Sequence, residues 1–291
     1  MAGPLLLHAP TPLEYFESLV ADDASLSVLE TAIASAHDDF PDLDCETVLA
    51  DVDALAARLK ARVPHDAVPM QRLRWLNRFF FQELGFSGNA NDYYDPKNSY
   101  LHVVLQTRRG IPITLALLYC EIASQIGLSA HGISFPGHFL VKLRMPQGDV
   151  VIDPFNGQSM SRDSLDALLV PYRRRQGLPN ATQLPLGVFL QAAESREIIA
   201  RMLRNLKEIH RSSGEQARLL AVLDRLVVLL PRNWEERRDR GLAAAEVGVL
   251  PVAVADLTAY LEHAEEAPDR ERIAERLVEL GSAAGDRPRL H

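Results

Sequence analysis

The sequence predicts an α+β protein: helices around a small antiparallel sheet, followed by an all-α helical domain. Three observations carry this. Helical periodicity fills residues 11–84. Residues 108–153 set one strongly apolar helix before three short strand-like segments. The last third is helical and repeats itself.

The elements follow in order. Residues 12–20 place Leu13, Phe16, Leu19 and Val20 on one helical face, and residues 26–36 do the same with Val28, Leu29 and Ile33. Residues 46–63 carry Val48, Leu49, Val52, Leu55 and Leu59 at three- and four-residue steps. Asp38, Asp39, Asp42 and Asp44 precede that helix and read as a solvated loop whose charge suits a helix N-terminus. Cys45 beside them reads as incidental, with only His37 nearby in sequence. Residues 71–84 form a further helix with Trp75, Phe79 and Phe80 on its apolar face, stopped by Gly85. Residues 85–101, GFSGNANDYYDPKNSYL, are a loop by their turn chemistry, with Ser99 placed to cap the short helix after them. A polar loop of that length is more often functional than idle. The alternative is that Tyr93 and Tyr94 simply pack it onto the core.

The central helix starts near Gly110, with Pro112 in a first turn that needs no N–H from it, and ends at Gly127. Ile113, Ala116, Leu117, Cys120, Ala123 and Ile126 make an apolar stripe, which Leu115, Leu118 and Tyr119 widen into a buried helix. Strands are expected at 128–135, 138–143 and 149–153. A turn over residues 144–147 pairs Leu143 with Gly148 and sets His138 opposite Asp153. Residues 161–169 read as a short helix. Residues 172–185 read as irregular, with Arg173, Arg174 and Arg175 in a solvated loop.

Beyond residue 186, Gly214 and Gly248 lie 34 residues apart, and Ala221, Leu223 and Val227 recur as Ala255, Leu257 and Leu261. That period is the tetratricopeptide one. Residues 234–268 make one complete repeat, the unit before it is weaker, and residues 270–280 close the array. The expected domains are 1–185 and 186–291.

Composition narrows the function. The net charge of −8 opposes general nucleic-acid binding. No apolar run is long enough for a membrane span, and Leu5–Leu7 is too short for a signal peptide, so the cytoplasm is the expected location. Two cysteines make no disulfide framework. No Cys or His pair has zinc-ligand spacing, and neither metal nor cofactor is expected.

Five motifs in order, LNRFFFQELGF, NDYYDPKNSYL, RRGIPITLALLY, FPGHFLVK and IDPFNG, resemble the SirB-type bacterial proteins. Those join a transglutaminase-like domain to tetratricopeptide repeats. The resemblance implies a papain/transglutaminase-like core followed by a tetratricopeptide-type helical domain. The wider superfamily uses a Cys-His-Asp triad whose cysteine opens the central helix two residues after a glycine. With Gly110 as that glycine, the nucleophile position is Pro112, while His138 and Asp153 match the other two members. Cys120 lies eight residues further on, roughly 12 Å down the helix, on the apolar stripe, and reads as core packing. Thr114 and Ser134 do not occupy the nucleophile position. His138 is either the bonded end of a hairpin or a positioned base, and both stay open.

The function so implied is a non-catalytic, degenerate transglutaminase/cysteine-protease-like protein that binds a peptide or protein partner. Gly110, Ile111, Pro112, Tyr93, Tyr94 and Asn98 line the expected groove, and the repeats offer a second surface. The alternatives are an acyl-transfer or peptide-hydrolysing enzyme using Cys120 or no cysteine, and a structural scaffold. Oligomeric state is left open.

Overall fold

Thr11, Ser27 and Asp44 each stand just before an apolar-periodic run, and each caps a helix with its own side chain. Thr11 starts α1 (Pro12–Val20) with a capping box to Glu14, Ser27 starts α2 (Val28–Ala34), and Asp44 starts α3 (Cys45–Lys60). These come from a computed structural model that describes residues 10–175 and 184–285. The chain divides into two units, Leu26–Met202 and Met1–Ser25 with Leu203–His291.

In the first unit α3 is followed by α4 (Pro69–Asn77), which runs on as a π-helical turn, Arg78–Glu83. Next come β1 (Ser87–Gly88), a 3-10 turn at Pro96–Ser99, α5 (Leu101–Thr107), β2 (Arg109–Gly110) and α6 (Pro112–Gln125). The expected loop at 85–101 therefore holds two short elements. Ser99 is buried at the end of the 3-10 turn, and the α5 cap is Tyr100, which supplies no side-chain hydrogen bond. Helix α6 is apolar nearly all round, and its buried residues include Ile113, Leu115, Leu118 and Ile122. Each such side chain contributes about 1.5–3 kcal/mol on burial. Phe80 stacks on Phe86 at 4.4 Å and meets Tyr119 edge-on at 5.3 Å, while the Tyr119 hydroxyl donates to Asn77 Oδ1 at 2.6 Å.

The sheet runs in the order β3 (Ser129–Ile133), β4 (Leu140–Arg144), β5 (Val150–Asp153), β6 (Gln158–Ser159), antiparallel throughout. Its register corrects the expected one. Leu143 pairs with Val150, and Val141 with Ile152. The hairpin is longer than the sequence suggested, because the Gly148 N–H turns back to Met145 O and Gly148 itself takes φ 123°. A shift of two keeps every side chain on its face but changes its partner. Ile133, Phe135, Leu140 and Val151 form one core cluster with Leu165 and Leu169 of α7 (Arg162–Arg175) and Leu186 of α8 (Leu186–Phe189). Helix α7 continues through Pro171, so Tyr172 and the three arginines are helical, and Arg173 reaches Asp166 at 3.4 Å. The rest of that expected irregular stretch, 176–183, lies outside the described residues, as do Leu5–Leu7.

Helix α9 (Ser195–Ser213) contains the 202/203 boundary between the two units. The second unit adds α10 (Gln216–Leu229), α11 (Trp234–Glu246), α12 (Leu250–His263) and α13 (Arg270–Gly285). Gly214 and Gly248 take φ +73° and +81° at the turns, a conformation that suits glycine. A Cβ on Gly241 would lie 2.9 Å from Leu257, so α11 and α12 cross closely. Helix α1 packs on α10, with Phe16 fully buried and the Arg225 guanidinium 5.7 Å above its ring.

Buried charges tie these helices together. Glu236, only 3% exposed, accepts from Arg204 at 2.7 Å and from Lys207 at 2.6 Å. Lys207 also meets Asp239 at 2.6 Å, and Arg238 joins Asp239 to Asp269. Removing one partner strands the others in a dry site. Glu236→Ala is expected to destabilise this unit by about 3–5 kcal/mol. The chain has two tryptophans, so a Trp75→Phe background leaves Trp234 to report urea unfolding of this unit. An unchanged midpoint would show the network to be idle.

Candidate functional site

The loop at 89–98 is stitched together by Asn98. Its side chain, 3% exposed, donates to Asp92 O at 2.6 Å and Tyr93 O at 3.2 Å, and accepts from Asn89 Nδ2 at 3.0 Å. Its carbonyl accepts from Ile111 N at 3.4 Å and Thr114 Oγ1 at 2.9 Å, fastening the loop to the start of α6. Asn89 N adds a bond to Gly110 O at 3.0 Å. Gly110 must be small, since a Cβ there would lie 2.7 Å from Thr114 Oγ1. Gly110, Ile111 and Asn98 are thus buried framework. Pro112 is half-buried at the first position of α6, after an Ile111 cap that offers no side-chain bond.

The exposed part of this region is aromatic. Tyr93 is 44% exposed and Tyr94 77%. Their rings meet edge-on at 5.3 Å, and Tyr93 tilts against Phe155 at 6.2 Å. Phe155 in turn fills the space over Gly88, where a Cβ would come within 2.1 Å of its ring. Burial, and then Tyr94, raise the Tyr93 pKa, while the nearby Arg201 opposes them.

Arg201 was not singled out from the sequence. It donates to Ser134 Oγ at 2.9 Å, Phe135 O at 3.3 Å and His138 O at 2.6 Å, and lies 5.5 Å over the Phe139 ring. It therefore fixes the turn that carries His138. Burial lowers its pKa, and Glu197 and Tyr93 favour its charge. Its sequence signal is weak: one arginine on an amphipathic helix, more than sixty residues from its acceptors.

His138 is exposed, in the turn before β4, and among the described residues its ring makes no hydrogen bond. The Asp153 carboxylate instead accepts from Phe155 N at 2.9 Å, closing a turn after β5. Continued by one step, the ladder sets Leu140, not His138, opposite Asp153. The expected His138–Asp153 pair is corrected accordingly.

Cys120 lies two turns down α6, half-buried in a groove of about 280 Å³ lined also by Leu117, Glu121, His131, Gly132 and Phe139. Burial, with Glu121 beside it, pushes its thiol pKa up to about 12. Thr114 and Ser134 hydroxyls are engaged in the bonds above. Cys45 Sγ lies 3.9 Å from His37 Nε2, and that ring also bridges Ala34 O and Leu43 O. Among the described residues no three His, Cys, Asp or Glu side chains group as metal ligands.

Residues 46–204 match the transglutaminase-like superfamily, and residues 206–278 match the tetratricopeptide repeat. A UPF0162 protein of Xylella fastidiosa (strain 9a5c) is 36% identical over 263 residues, 90% of this chain and 92% of that protein. The chain belongs to the UPF0162 family. A UPF0162 protein of Vibrio cholerae is 29% identical over 87% of this chain and 92% of its own. UPF0162 protein YchA of Escherichia coli (strain K12) is 26% identical over 81% and 84%. No solved structure matches.

In this UPF0162 chain the thiolate is the form of Cys120 that alkylates, and its pKa lies far above neutral. Labelling of Cys120 by iodoacetamide is therefore expected to be slow at pH 7 and to rise about tenfold per pH unit up to about pH 10. Peptide-resolved mass spectrometry separates it from Cys45. A plateau near pH 8.5, the ordinary thiol value, would show Cys120 to be an accessible, unperturbed thiol.

Proposed function

We propose that this chain is a non-catalytic, cytoplasmic member of the transglutaminase-like superfamily that binds an extended peptide segment of a protein partner. The exposed pair Tyr93 and Tyr94, on the loop that Asn98 ties down and with Tyr93 against Phe155, is the contact face. The tetratricopeptide repeats add a second interaction surface. The reading keeps the SirB-type resemblance of the five motifs.

One observation carries the proposal most. Pro112 opens α6, at the position where the resemblance would put the nucleophile, and among the described residues the His138 ring and the Asp153 carboxylate share no hydrogen bond. Proline offers neither a nucleophile nor an N–H at that point. An acyl-transfer reaction through Cys120 would need a thiolate that its surroundings disfavour. Aromatic side chains are suited to the contact role, since they bury large area at low entropic cost.

Panning a random dodecapeptide library against the full chain is expected to yield binders that remain intact by mass spectrometry. Their affinity should fall about tenfold or more with Tyr94→Ala, as for an aromatic anchor, and stay unchanged with Cys120→Ala. Peptide cleavage or acylation that disappears with Cys120→Ala would sink the non-catalytic reading. In Pro112→Cys the new thiol is expected to alkylate with a pKa below about 8.5, as cysteines at helix N-termini do. An ordinary pKa there would remove the inherited-enzyme account of this face.

A further inference from the structure

A second concavity of about 610 Å³ lies along α3 and α5, a size typical of small-molecule sites. Its floor includes the apolar side chains Val48, Leu55 and Leu105. Three of its buried polar atoms, Arg108 Nη1 and both ring nitrogens of His102, have no hydrogen-bond partner. Arg58 and Arg108 both line it, and among the described residues neither has a carboxylate within ion-pair distance. Arg108 Nη1 is buried and makes no hydrogen bond. His102, 8% exposed, lines the same space, and neither of its ring nitrogens has a partner. Buried polar groups left unpaired are costly, so each such group asks what completes it.

We propose that this groove binds the oxyanion of a small phosphorylated or polycarboxylate ligand, with Arg58 and Arg108 as its anion-binding pair and His102 as a further hydrogen-bond partner. The guanidinium of Arg108 is preplaced. It lies 4.7 Å over the Phe86 ring, and its backbone takes φ 59°, left-handed and rare for a side chain of this size. Arg58 is set over Phe79 at 5.7 Å. Two like charges so close oppose one another, and burial together with Arg58 lowers the Arg108 pKa. An anion between them relieves that repulsion and supplies acceptors for the planar guanidinium forks. Asp42, Asp44 and Asp51 also line the groove, and among the described residues none forms an ion pair with Arg58 or Arg108. Asp44 is occupied by Glu46 N at 3.0 Å and Thr47 Oγ1 at 2.7 Å, and Asp51 attracts Arg108 without reaching it. His102, with Phe40 edge-on at 4.4 Å, is kept neutral by burial and then by His37. It therefore has one donor and one acceptor to offer a ligand.

The test is titration calorimetry of the full chain with sodium phosphate, pyrophosphate and citrate at ionic strength held constant with sodium chloride. Saturable binding of at least one of them, at about one site per chain, is expected. Binding of phosphate or pyrophosphate alone assigns a phosphate ester, binding of citrate alone a polycarboxylate, and binding of both an oxyanion site that reads charge. Arg58→Gln and Arg108→Gln should each weaken binding about tenfold or more, as loss of a charge-assisted hydrogen bond does. Arg58 is exposed, so its variant keeps the test valid where Arg108→Gln fails to fold. Arg74→Gln, which removes the same charge elsewhere on the unit, should change affinity less than about twofold, as expected for a remote surface charge. No saturable binding of any of the three, or equal weakening by Arg58→Gln and Arg74→Gln, would overturn the proposal.

Discussion

A helix that is apolar on nearly every side has to be enclosed on nearly every side, and the first unit is arranged to do that for α6. Helices α2 to α5 and strands β3 and β4 all contact it. Its start cannot be closed by a side-chain cap, because Ile111 has none to give and Pro112 follows. Closure comes instead from the preceding loop, whose Asn98 carbonyl receives Ile111 N and the Thr114 hydroxyl. The residues that complete the core at that end are therefore the ones that shape the surface above it.

The sequence shows such enclosure well where local periodicity encodes it. The apolar steps of α1, α3 and α6 are visible because a helix repeats its buried face every three or four residues. The 34-residue recurrence of Gly214 and Gly248 is equally plain, since each turn needs a left-handed backbone. Register was less legible. The turn after β4 had to be assigned a length, and the length changed which residue faces Asp153. Helix α7 was expected to end at residue 169, yet it runs to Arg175 through Pro171, a residue that usually stops a helix.

The site shows the same division. Tyr93 and Tyr94 were readable as loop aromatics, and Pro112 as the residue that opens α6. Asn98 looked like a contact residue because polar loop side chains usually face water. Its amide is instead consumed within the loop. Arg201 was invisible because its acceptors lie far away in the sequence, and two of the three are backbone carbonyls, which carry no residue signature. The unpaired Arg108 was equally hidden, since an absence of partners is a fact of three-dimensional packing.

The fit of Phe155 over Gly88 bears on kinetics. A ring that occupies the place of a missing side chain cannot swing away without opening a void, and Tyr93 leans on that ring. The tyrosine platform is thus assembled when the chain folds, and its ordering entropy has been spent before any encounter. A ligand of the face proposed above would then meet it by collision and orientation, with no slow loop rearrangement to wait for. Differences between competing ligands would be expressed chiefly in how long each stays bound.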